Sequence, residues 1–231
     1  MTTSRRAGRV QRTSLLPSPF SLLPFFSFLP CFCLLPFAFC LLQAAPQSNP
    51  QAPAVSQVHL ETTKGEVVIE VTRAWAPHGA DRFVELVRTR YFDDSRLFRI
   101  IKGKWAQFGI AGDPAVAQAW RAKAIPDDPF IPEHSNVRGT IAFAYAVPNG
   151  RTTEVFINTR DNSATHDKEP FVPFGRVISG MDVVDAWYSD YAETSGGGIR
   201  AGHQDEAFAR GNAFFDEKFP KLDRIVRASI R

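Results

Sequence analysis

Val58 to Glu61 and Glu66 to Val71 are two apolar, β-branched runs on either side of Lys64-Gly65, a pattern that predicts a two-stranded hairpin. Beyond Pro77 the spacing lengthens. Phe83, Leu86 and Val87 recur at i, i+3 and i+4, with Arg88 and Arg90 near the end where a helix dipole favours cations. That predicts a helix with one buried face. Leu97 to Ile101, Trp105 to Ile110, Gly139 to Tyr145, Val155 to Asn158 and Phe174 to Ile178 read as further short strands, with Lys102-Gly103 and Ser179-Gly180 as turns. Ala111 to Arg138, carrying Pro114, Pro126, Pro129 and Pro132, reads as a long irregular stretch, of the kind that covers a site or serves one. Asp182 starts a short helix through Val183, Val184 and Trp187, and Gly196-Gly197-Gly198 is a break. Asp205 to Ala213 is helical, and Leu222 to Ile230 closes the chain as a strand. Many short strands with few helices predict a β-barrel or sandwich with helices at its ends, not alternating βαβ units.

The first forty-odd residues break this pattern. Arg5, Arg6, Arg9 and Arg12 precede an almost wholly apolar run, Leu15 to Leu42, that contains no acid and is interrupted by Pro17, Pro19, Pro24, Pro30 and Pro36. Residues 1–45 read as an export signal cleaved near Ala44-Ala45, with an uncleaved membrane anchor as the alternative because the run approaches the ~20 residues that span a bilayer. Pro46 to Gln57 is polar and proline-rich, a linker, and order is expected from Val58 to Arg231. Setting 1–45 aside removes four of 27 basic residues and none of 24 acidic ones, so the remainder carries 23 − 24 = −1. The basic footprint that nucleic-acid binding needs is therefore missing from the domain. Cys31, Cys33 and Cys40 all fall inside the export segment, which excludes a disulfide framework, a thiol nucleophile and a cysteine metal site from the body.

Candidate chemistry begins with Arg99, a cation inside the apolar run Leu97-Phe98-Arg99-Ile100-Ile101. Taken alone it is an outward-facing charge on an alternating strand. It is followed in order by Trp105-Ala106-Gln107-Phe108-Gly109, Gly139 to Ala146, Glu154-Val155-Phe156-Ile157-Asn158, Pro173 to Val177 and Gly180-Met181-Asp182-Val183-Val184. This ordered set resembles the cyclophilin family over about Val58 to Ile230, and its long Ala111 to Arg138 insertion resembles that of an exported, bacterial branch. The resemblance implies a mainly β fold, a closed eight-stranded antiparallel barrel capped by helices, and peptidyl-prolyl cis/trans isomerase activity without a cofactor or metal. It implies that Arg99 is the catalytic arginine, Gln107 the glutamine beside it, and Phe156 the floor of the proline pocket. Ala144 and Ala146 belong to the strand that binds the substrate backbone.

The chain also departs from the family pattern. Lys104 and Trp105 stand where many members have Phe and Met, Tyr145 where they have Asn, Thr153-Glu154 where a serine-glutamine pair is usual, and Phe171 where a pocket histidine is common. Asn162 to Asp167 matches the usual pocket wall poorly. The substrate-binding set is thus Lys104, Trp105, Ala144, Tyr145, Ala146 and Phe171. The implied partners are proline-containing clients in a periplasmic or secreted setting, met by a monomer that touches a membrane only if its N-terminal segment is retained. A barrel that binds proline segments as a chaperone, with little turnover, is the alternative reading. His134, His166 and His203 are scattered without ligand or triad spacing and read as loop or solvent-facing histidines. Asp127-Asp128 reads as turn chemistry.

Overall fold

The computed structural model describes residues 51–169, 171–196 and 204–231. The stretch read as an export signal, the first residues of the expected linker, Gly197-Gly198 and His203 lie outside the described residues. The hairpin forms where the sequence places it, as β1 (Val55–Thr62) and β2 (Gly65–Thr72) in an unbroken antiparallel register from Val55↔Thr72 to Thr62↔Gly65. The first strand starts earlier than expected. Val55 to Gln57 already pair with β2, and the Ala52 amide donates to Asp81 Oδ1 at 2.8 Å, so the end of the polar linker is strand.

α1 (Pro77–Arg88) buries Phe83, Val84, Leu86 and Val87 on the face that the spacing predicts. After it come β3 (Ser95–Arg96), β4 (Arg99–Ile101), β5 (Trp105–Phe108), β6 (Thr140–Phe143), β7 (Val155–Asn158), β8 (Pro173–Ser179) and β9 (Arg224–Ile230). All pairings are antiparallel, and the strands form one nine-stranded sheet in the order β3-β9-β1-β2-β8-β6-β7-β5-β4. The expected closed eight-stranded barrel is therefore corrected to a nine-stranded curled sheet. Among the described residues no hydrogen-bonded ladder joins the edge strands β3 and β4, yet only Leu97-Phe98 separates them in sequence. The three Cα-to-Cα steps from Arg96 to Arg99 reach no more than about 11 Å, so the sheet must curl until its edges are neighbours. Both residues are fully buried and plug the seam. Phe83 of α1 packs on Phe174 of β8 at 5.0 Å between ring centroids, and Phe174 packs on Phe143 of β6 at 5.3 Å, which seats the helix on the sheet.

Two sequence expectations are corrected in the helices. The stretch from Ala111 to Arg138 contains α2 (Pro114–Arg121), opened by Asp113, whose carboxylate accepts from the Ala115 amide at 2.7 Å, and by Pro114 in the first turn. The single helix expected over Asp205 to Ala213 is two, α5 (Asp205–Arg210) and α6 (Asn212–Lys218). Gly211 separates them at φ 55, ψ −135, and a Cβ there would lie 2.1 Å from the Gly112 carbonyl oxygen, so only glycine fits. Two short helices, α3 (Ser163–His166) and α4 (Met181–Asp185), complete the set. The acids Asp127-Asp128 do not make a turn of their own. Asp127 exchanges hydrogen bonds with Asn149 and pairs with Arg151, while Asp128 reaches α1.

Candidate active site

Sheet register brings the candidate residues into one row. Arg99 lies opposite Gln107, Gln107 opposite Phe156, and Phe156 opposite Ala142, across β4, β5, β7 and β6. Directly paired residues present side chains on the same face, so residues spread over 58 positions in sequence (99 to 156) line one strip of sheet. The strip floors a cleft of about 620 Å³, lined by all of the sequence candidates: Arg99, Lys104, Trp105, Gln107, Ala144, Tyr145, Ala146, Phe156 and Phe171.

Arg99 is held from several sides. Its Nε and Nη2 donate to the two carboxylate oxygens of Glu193 at 2.8 and 3.0 Å, and its Nη1 donates to Gln107 Oε1 at 2.6 Å. The guanidinium also lies 5.1 Å from the Trp105 ring centre, a cation–π contact. Gln107 is nearly buried and passes the contact on, its Nε2 donating to Glu154 Oε2 at 2.6 Å. Gln204 Nε2 donates to the same oxygen at 3.1 Å. Crowding by protein raises the Glu154 pKa above its ordinary value of 4.5, outweighing the two amide hydrogen bonds and the charges of Arg99 and Arg121.

One end of the cleft is aromatic. Phe156 meets Phe171 edge-on at 5.3 Å and His166 at 5.3 Å, and His166 and Phe171 lie 5.0 Å apart. Trp105 stands 5.5 Å from His166 and Tyr145 5.0 Å from Phe171. His166 is thus part of the box and not the solvent-facing histidine that its isolation in sequence suggests. Burial lowers its pKa below 6.5, which keeps the ring neutral at pH 7. Beneath the box an amide network fixes its walls. Buried Asn158 accepts from Asn162 Nδ2 at 2.7 Å and donates to Thr140 Oγ1 at 3.0 Å, and Asn136 Nδ2 donates to Asp167 Oδ1 and the Phe171 carbonyl, both at 2.8 Å. The Lys104 carbonyl accepts from Asn162 Nδ2 at 2.8 Å, whereas the Lys104 residue itself is exposed at the cleft rim.

The far end of the cleft is lined by residues that sequence reasoning did not select, Arg121 of α2 and Gln204 and Phe208 at α5. The Arg121 guanidinium lies 4.4 Å from the Phe208 ring centre, and Arg121 pairs with Asp205. The Asp113-Pro114 cap before Val116, Ala117 and Trp120 is the signal that would have placed α2, and with it Arg121. Nothing in the sequence marks Glu193, which meets Arg99 from 94 residues away.

A family model described as cyclophilin type peptidyl-prolyl cis-trans isomerase/CLD matches residues 57–202. A peptidyl-prolyl cis-trans isomerase of Acinetobacter baylyi is 32% identical over 142 residues, covering 58% of this chain and 72% of the relative. One from Streptomyces antibioticus is 31% identical over 142 residues, covering 57% of this chain and 82% of the relative. Among solved structures, a Cryptosporidium parvum cyclophilin type isomerase aligns with a TM-score of 0.55 at 18% identity, over 77% of this chain and 98% of that one, a likeness of fold. With the family model matching residues 57–202, the fold shared and the arginine–glutamine–aromatic row assembled in a cleft, the chain belongs to the cyclophilin-type peptidyl-prolyl cis-trans isomerase family.

Proposed function

We propose that the cleft holds a proline-containing segment with its ring in the Phe156–His166–Phe171 box, and that Arg99 stabilises the twisted X-Pro amide. The observation that carries this reading is the use of the Arg99 donors. Among the described residues, Glu193 occupies the Nε side of the guanidinium and Gln107 one hydrogen of Nη1, which leaves one hydrogen on each Nη for substrate. Rotation about an X-Pro bond breaks amide resonance against a barrier of ~18–20 kcal/mol without making or breaking a covalent bond. As the amide twists, the proline nitrogen becomes pyramidal and regains a lone pair. A donor held there binds the transition state and not the planar ground state, which is what accelerates a reaction. A hydrogen bond from a charged group contributes about 1.5–3 kcal/mol, or roughly tenfold to a hundredfold in rate. Ala144, Tyr145 and Ala146 run beside the box just past the end of β6, where a substrate backbone would lie.

Exchange spectroscopy on a short X-Pro peptide tests the reading. The purified protein should raise the cis/trans exchange rate, and Arg99→Ala should lose roughly tenfold to a hundredfold of that gain while circular dichroism stays native. Broadened peptide signals without faster exchange would describe a domain that only holds proline segments. The clients we assign are exported polypeptides, met outside the cytoplasm. The acid-free, arginine-led apolar segment before Ala45 and the lack of cysteine after it support that setting.

A further inference from the structure

We propose that Glu193 and Gly196, on the segment between α4 and α5, form a clamp that orients the Arg99 guanidinium for the isomerisation step. The proposal rests on the reading of Arg99 given above. The Glu193 carboxylate meets Nε and Nη2 through two parallel bonds, 2.8 and 3.0 Å, a geometry that fixes the plane of the guanidinium and its rotation within that plane. Gly196 confines the stem below it. A Cβ at Gly196 would lie 2.6 Å from Arg99 Cδ, 2.8 Å from Cγ and 3.0 Å from Cβ, atoms too near the backbone to swing aside cheaply. The segment thus reads the whole Arg99 side chain, a carboxylate for the head and a missing side chain for the stem.

The clamp is presented by folded structure. The Ala192 amide donates to the Ser189 carbonyl at 3.0 Å and the Thr194 amide to the Tyr191 carbonyl at 2.9 Å. The Tyr191 ring packs on Tyr188 at 5.0 Å and on Phe219 at 5.2 Å, and the Tyr188 amide donates to Asp223 Oδ2 at 2.7 Å. Arg99 is only 11% exposed although Glu193 is 46% exposed, so the cation end of the pair is largely shielded from competing water. An arginine left to itself samples many rotamers, and each excursion removes the donor edge from the twisted amide. Glu193 takes only the Nε side and so orients that edge without occupying it. It is a positioning residue, acting through Arg99.

Peptide exchange kinetics on the full chain test the clamp. Glu193→Gln loses the charge and one of the two bonds, and Glu193→Ala loses both. The expected result is a graded fall in kcat, about threefold and about tenfold, with KM for the peptide within about twofold because the proline box is untouched. Gly196→Ala should lower kcat in the same way by displacing the stem. In an Arg99→Ala background, Glu193→Ala should cost nothing further in kcat, a result that a purely structural role would not give. If Glu193→Ala leaves kcat within twofold of wild type while Arg99→Ala abolishes most activity, the clamp is refuted and the role of Arg99 stands. A silent Arg99→Ala would overturn both.

Discussion

Removing the carboxylate of Asp128 should destabilise the domain by an amount that the geometry at the start of α1 sets. Pro77 occupies the first turn, and the cap residue, Ala76, has no side-chain oxygen to accept the His78 and Gly79 amides. Asp128, 50 residues downstream of His78, supplies both acceptors, Oδ1 at 2.9 Å to His78 and Oδ2 at 2.8 Å to Gly79. Asp128 is 6% exposed and Gly79 is buried, so in Asp128→Ala the Gly79 N–H loses its partner where water enters poorly, at a cost of roughly 1–3 kcal/mol. The His78 amide is nearer solvent, and losing its cap together with a negative charge at the dipole's positive end costs about 0.5–2 kcal/mol. The sum is about 1.5–5 kcal/mol, a large part of the ~5–15 kcal/mol that holds a domain together. In a domain of this size that lowers the thermal midpoint by roughly 3–20 °C. Urea unfolding should show a lower midpoint at unchanged m-value, since the exposed surface is the same. Asp128→Asn, keeping one acceptor oxygen, should fall about halfway between. A loss below about 0.5 kcal/mol for Asp128→Ala would refute the argument and mean that water caps the helix equally well.

Glu154 gives a prediction in pH. Its folded-state pKa lies above 4.5, so its contribution to stability is fully present below 4.5 and is lost as pH rises through the folded value; Glu154→Gln should erase that slope, and a pH-independent difference in urea midpoint between the two proteins would contradict it. The export reading predicts a mature N-terminus between Ala44 and Gln47 on a soluble protein, and N-terminal sequencing after cell fractionation decides it: an intact membrane-bound product would establish the anchor instead, and a full-length cytoplasmic product would contradict both.

The legible parts of the fold were those set by local patterns. The Lys64-Gly65 hairpin, the Pro77 helix and the row Arg99, Gln107, Phe156 depend on period, turn chemistry and ordered motifs, which the chain displays directly. Parts that depend on partners far along the chain were not legible. Asp128 reads as turn chemistry because its real partners, the His78 and Gly79 amides, lie some fifty positions away. Gly211 hides its role for the same reason, since what forbids a side chain there is the Gly112 carbonyl. α2 was obscured differently. Pro126, Pro129 and Pro132 dominate the composition of its surroundings, although the Asp113-Pro114 start signal is local and was there to be read. The count of strands and the open edge between β3 and β4 follow from sheet curvature, which no period along a single strand encodes.

The pocket's departures from the family pattern look disruptive one at a time and consistent together. Phe171 stands where a histidine is common, yet His166 enters the box five residues earlier and touches both Phe171 and Phe156. Its lowered pKa matters here, since a protonated imidazole against three aromatic rings would put a charge where the proposed binding mode seats an apolar proline ring. Trp105, replacing a flexible side chain, faces two ways, lying 5.1 Å from the Arg99 guanidinium and 5.5 Å from His166. It therefore couples the cationic end of the cleft to the aromatic end. Lys104, the one substitution that would place a cation in the box, is exposed at the rim, and the scaffold uses its backbone, the amide donating to the Ile101 carbonyl and the carbonyl accepting from Thr159 and Asn162. Arg99 is the cation that the proposed mechanism uses, and two carboxylates attend it, Glu193 directly and Glu154 through the Gln107 amide. Because a guanidinium only donates and a carboxylate only accepts, that amide has one orientation that satisfies both neighbours. The replacement of a glutamine by Glu154 therefore fixes the Gln107 side chain that holds Nη1, and an apparent departure becomes part of how the arginine is aimed.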